Sequence, residues 1–86
     1  MNRSASEITA WLTERVSELV SLPVSEIDPN QPLLRLGLDS VGVVTLASDL
    51  EKWAGYRFKQ NPLEEYPTIH ALAEFVAKET ARAAEK

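Results

Sequence analysis

Ser40, Asp39, His70 and the adjacent Glu64 and Glu65 are candidates in this sequence for nucleophile, acid or base chemistry. A Ser-His-Asp site needs its histidine beside the nucleophile, and the one histidine, His70, falls at the start of the last expected helix, far along the chain from Ser40. With no cysteine and no second histidine, neither thiolate chemistry nor metal-ligand spacing is available. Glu64 and Glu65 are neighbours that point apart on a helical turn, and nothing nearby would desolvate one of them, so they read as a solvated face. Gly37, Gly42 and Gly55 are scattered rather than grouped in a phosphate-cradling loop. What survives is Leu36-Gly37-Leu38-Asp39-Ser40-Val41, a short apolar cluster that delivers a serine to the start of a helix. Asp39 is the better N-cap, which leaves the Ser40 hydroxyl available. A phosphate ester on it would lie at the positive end of the helix dipole, favoured by about 0.3–1 kcal/mol.

The elements that must position this serine are helical. Ile8, Leu12, Val16, Leu19 and Val20 recur at helical spacing, with Ser4 or Ser6 as cap and Pro23 marking where the helix has ended. Leu22 to Asp39 holds Pro23, Pro29, Pro32 and Gly37, and Asp28-Pro29-Asn30 is a turn signal, so a long connection follows. Leu33, Leu34, Leu36 and Leu38 end this loop. At about 1.5–3 kcal/mol per fully buried side chain, they are expected to pin it across the helices. A second helix runs from Ser40 to about Ala54, with Val44, Ala47 and Leu50 inward, Leu46 and Trp53 beside them, and Gly55 ending it. Asn61-Pro62 opens a segment that Pro67 closes after about one turn. Thr68 caps a last helix with Ile69, Leu72, Ala73 and Val76 inward, whose alanine-rich end is expected to fray through Lys86. The fold class is therefore all-α: three main helices and one short one in a small bundle, with a long loop between the first two.

Composition narrows the partners. At 86 residues, one domain is expected over 1–86, with an ordered core at about 4–80. Nine basic against 13 acidic residues, a net charge of −4, carry the wrong sign for nucleic acid. No apolar run approaches the roughly 20 residues that cross a bilayer, and no signal-peptide order opens the chain. A cysteine-free protein fits the reducing cytoplasm, and a monomer is expected; a free-standing protein and a domain of a larger synthase both stay open.

Leu36-Gly37-Leu38-Asp39-Ser40-Val41 resembles the phosphopantetheine attachment motif of acyl carrier proteins. The likeness extends through Leu50-Glu51, Gly55 to Phe58 and Glu65-Tyr66-Pro67-Thr68 to Ala71-Leu72-Ala73, and is similar to carrier domains of modular polyketide synthases. It covers about Leu33 to Val76. The resemblance implies that Ser40 accepts 4′-phosphopantetheine from coenzyme A through a separate magnesium-dependent phosphopantetheinyl transferase. Asp39, Leu38, Gly37 and Val41 complete the attachment motif around it. The arm's thiol would then hold acyl or polyketide intermediates as thioesters, sulfur chemistry that this chain lacks. Catalysis would belong to partners: an acyl-loading enzyme, a ketosynthase or an acyltransferase. Fatty-acid carriers of the dissociated type place acidic residues where Gly42 and Thr45 stand, which favours a polyketide-type pathway, and Glu64 stands where modular carriers commonly have an aromatic. Two other readings stay open. An aminoacyl or peptidyl carrier shares the fold and the serine but usually enters it through Gly-Gly-His/Asp-Ser. An unmodified helical interaction module would use Ser40 and the leucines for structure alone.

Overall fold

Capping chemistry fixes the helix boundaries. The computed structural model describes residues 4–59 and 61–84. The first helix, α1 (Ala5–Val20), starts at Ser4, whose hydroxyl accepts from the Glu7 N–H while the Glu7 carboxylate accepts from the Ser4 N–H. This reciprocal box satisfies two donors that the first turn leaves open. The helix stops at Ser21, which takes a left-handed conformation (φ 58°), before Pro23. A second helix, α2 (Ser40–Ala54), is capped by Asp39 and ends at Gly55. The third, α3 (Ile69–Ala84), opens with the Thr68 hydroxyl accepting from the Ala71 N–H at 3.1 Å. The alanine-rich end that was expected to fray is helical through Ala84, and residues 85 and 86 lie outside the described residues. The short fourth element is a single turn over 62–65, in which Asn61 Oδ1 accepts from the Leu63 N–H at 2.9 Å and the Pro62 carbonyl from the Tyr66 N–H at 2.9 Å.

One apolar cluster joins these elements. Ile8, Leu12 and Val16 of α1 meet Leu46 and Leu50 of α2 and Ile69, Leu72, Ala73 and Val76 of α3, all essentially inaccessible to water. The α1–α3 contact is the most extensive. On the α1–α2 side Trp11 stacks on Trp53 with centroids 4.8 Å apart, and Arg15 of α1 reaches Asp49 of α2 at 3.2 Å. At the far end of α2, Tyr56 donates its hydroxyl to Glu79 of α3 at 3.0 Å; that bond, then burial, pushes the Tyr56 pKa above its ordinary value.

The long loop is tied down by backbone as well as by side chains. It carries two 3-10 turns, Val24–Glu26 and Leu33–Leu36. Between them the Asp28 side chain accepts from the Asn30 N–H at 2.9 Å, forming the expected turn. The Leu33 N–H donates to the Pro67 carbonyl at 2.8 Å and the His70 N–H to the Pro29 carbonyl at 2.9 Å, which clamps the loop to the start of α3. Pro32 and Thr68 form an isolated antiparallel bridge at the same place.

Three expectations about facing are corrected. Leu33, Leu36 and Leu38 are buried as expected, but Leu34 is 70% exposed, because the tight 3-10 turn sends consecutive leucines to different sides. Val44 is exposed rather than inward, since Leu46 and Leu50 set the phase of α2 and bring Val43 to the half-buried side. Leu19 likewise lies on the outer edge of the α1 stripe. The difference among the leucines is measurable. Leu36→Ala and Leu38→Ala should each lower stability by about 2–5 kcal/mol in denaturant melts, while Leu34→Ala should stay within about 0.5 kcal/mol of the parent. Equal losses for all three would mean that the loop is not held by its buried leucines.

Candidate functional site

Gly37, Leu38, Asp39, Ser40 and Val41 come together at the junction between the leucine loop and α2. Gly37 ends the second 3-10 turn at φ 104°, a left-handed conformation that side-chain-bearing residues rarely adopt, and its N–H returns to the Leu34 carbonyl at 3.3 Å. This reversal sends Leu38 into the core, where it is 3% exposed, and its N–H donates to the Leu33 carbonyl at 3.3 Å. Asp39 follows in extended conformation, with Oδ1 accepting from the Gly42 N–H at 2.8 Å and its carbonyl accepting from the Val43 N–H at 2.9 Å.

Ser40 is the first residue of α2 and is exposed. Among the described residues its hydroxyl makes no hydrogen bond, and the Ser40 and Val41 N–H groups have no acceptor. The hydroxyl therefore stands free beside two open donors at the positive helix end, with Asp39 held back by its cap. These features fit a serine-linked phosphate: an accessible oxygen, room around it, and donors placed for the phosphate oxygens. Val41, 72% exposed, follows it on α2, with the exposed Val44 three residues on, and Leu34 of the preceding loop is exposed as well. Behind them a cleft of about 260 Å³ opens between Leu33, Leu34, Val43, Leu63 and Pro67.

The other candidates for chemistry are dispersed. His70 sits at the start of α3, exposed and 3.5 Å from Glu74, and Glu64 and Glu65 are exposed on the turn before Pro67. None of them joins Ser40 in a hydrogen-bonded constellation. Two features of the junction were not read from the sequence. The backbone clamp from Pro67 to Leu33 left no side-chain pattern to find. Gly42, whose N–H was expected to serve the Asp39 cap and does, is also packed against Leu38.

The junction thus displays an exposed serine from a packed loop at a capped helix start. The phosphopantetheine attachment site family model matches residues 10–76, and the chain belongs to that family. Its function is that of an acyl carrier protein, and its prosthetic group is a covalently attached 4′-phosphopantetheine. Carrier proteins of this kind are generally non-catalytic, and those within polyketide synthases work with the synthase enzymes. The chain is 34% identical over 74 residues to the acyl carrier protein TtuC of Teredinibacter turnerae, covering 86% of this chain and 85% of that one. It is 40% identical over 70 residues, 81% of its length, to a stretch of 5-methyl-1-naphthoate synthase of Streptomyces sahachiroi, of which it spans 4%. The free-standing peptidyl carrier protein of Acinetobacter baumannii superposes with a TM-score of 0.84 at 31% identity, covering 91% of this chain and 98% of that structure. No helix among the described residues is long and apolar enough to cross a membrane.

Proposed function

We propose that Ser40 is the attachment residue and that the chain carries acyl or polyketide intermediates without catalysing a reaction itself. The observation that carries this is the free, exposed Ser40 hydroxyl beside open helix N–H groups, with Oδ1 of the neighbouring Asp39 capping the helix. A phosphopantetheinyl transferase would supply the base and the magnesium ion. The Ser40 proton leaves to that base, the Oγ–P bond forms, and a P–O bond of the coenzyme A pyrophosphate breaks, releasing the adenosine bisphosphate half. When attached, the group supplies a thiol on a flexible arm, on which acyl units travel as thioesters. Asp39, Gly37 and Leu38 keep the hydroxyl presented, and Val41 forms the surface against which partners settle. The acyl-loading enzyme, ketosynthase or acyltransferase is proposed to belong to a polyketide-type pathway. The similarity to the naphthoate synthase stretch and the uncharged Gly42 and Thr45 support that reading. The cysteine-free composition supports the cytoplasm as the compartment.

The test is intact mass after incubation with coenzyme A, magnesium and a broad-specificity transferase. A single phosphopantetheine increment is expected; an unchanged mass with an active transferase would refute the proposal. A second reading, an aminoacyl carrier, draws on the likeness to the Acinetobacter peptidyl carrier. Charging of the modified protein by an adenylating amino-acid enzyme, but not by an acyl-loading one, would favour it.

A further inference from the structure

Gly42 is the third residue of α2, and its backbone does not require glycine: the glycines with positive φ are Gly37 and Gly55. Glycine is among the poorest helix formers, so what this residue contributes must be the side chain it lacks. A Cβ at this position would stand 2.9 Å from Leu38 Cδ1, 3.2 Å from Leu38 Cγ and 3.3 Å from Asp39 Oδ1. The first distance is closer than side-chain carbons approach one another, and Leu38, buried in the core, has little freedom to withdraw. The same residue gives its N–H to Asp39 Oδ1 at 2.8 Å. Both residues that precede Ser40 thus rest on Gly42, one through packing and one through the cap.

We propose that Gly42 is a positioning residue for Ser40: its missing side chain seats Leu38 against the first turn of α2 and so fixes the Asp39 cap and the direction of the serine hydroxyl. The proposal rests on Ser40 being the attachment residue.

The test is a size exchange across the contact. Gly42→Ala adds a carbon on the helix side, Leu38→Val removes one on the loop side, and the double variant conserves the volume. Each is compared with the parent for loading by the transferase, as kcat/KM for the carrier, and for stability in denaturant. Gly42→Ala should load about 10-fold more slowly, less than the roughly 100-fold that a misplacement of about 1 Å can cost. The double variant should return to within about twofold of the parent, a non-additivity expected only of residues in contact. Loading of Gly42→Ala at the parent's rate would overturn the proposal. So would a double variant as slow as the two single effects combined, since slow loading would then not pass through Leu38. If Gly42→Ala fails to fold, the double variant decides: folded and efficiently loaded, it upholds the exchange; unfolded or unloaded, it refutes it. Failure of the parent itself to load would instead refute the assignment of Ser40.

Discussion

Ser40→Ala is expected to abolish phosphopantetheine attachment completely while leaving the fold intact. Loss should be complete because no other serine shares its setting. Ser4 caps α1 through Glu7, Ser17 donates to the Leu22 carbonyl, and Ser21 occupies the left-handed position after α1. Ser6, Ser25 and Ser48 are exposed but have no leucine loop or capping aspartate before them. The fold should survive because the Ser40 hydroxyl makes no hydrogen bond among the described residues and Asp39 alone caps the helix. Alanine at the first helical position is favourable, so stability should stay within about 0.5 kcal/mol of the parent. Intact mass and a denaturant melt on the same sample check both halves. An adduct that persists on the variant would place attachment elsewhere, and a variant that melts early would show that the serine is structural.

The parts of this molecule that were legible in the sequence are those written in local chemistry. Asp39 before Ser40, Thr68 before Ile69, Gly55 after Ala54 and Asn61 before Pro62 are boundary signals, because capping needs a particular side chain at a particular offset. The phases of the stripes were less legible. Val43 and Val44 are chemically identical neighbours, and which one turns inward depends on where Leu46 and Leu50 dock. The same holds for Leu33 and Leu34, separated by the 3-10 geometry and by the bond from the Leu33 N–H to Pro67. That bond links backbone groups far apart in the chain and leaves no mark on side-chain patterning. The packing role of Gly42 was not visible, since the residue that fills the space above it, Leu38, comes from the loop rather than from the helix.

Val41→Asp is expected to weaken docking to the acyl-loading or condensing enzyme by about 100-fold or more, whereas raising the ionic strength should weaken it only slightly. Val41 and Val44 are 72% and 63% exposed on α2 just after Ser40, so a partner reaching the serine meets apolar surface. Burying one valine contributes about 1.5–3 kcal/mol, or roughly 10–100-fold in affinity. Replacing it with an unpaired carboxylate adds a desolvation penalty to that loss. The acidic groups of α2 are meanwhile engaged within the chain. Asp49 bonds Arg15 at 3.2 Å, and Glu51 accepts from the Phe58 N–H at 2.7 Å. Gly42, Thr45 and Ser48 bring no charge to the same face. Glu64 and Glu65 can steer approach, but exposed pairs contribute about 0–1 kcal/mol each, and the screening length shrinks from about 10 Å at 0.1 M salt to about 3 Å at 1 M. Titrating the complex from low to high salt should therefore change the Kd by less than about tenfold. The comparison separates the two modes of recognition: a collapse of binding at moderate salt, with Val41→Asp tolerated, would mean that ion pairs and not the valine face hold the partner.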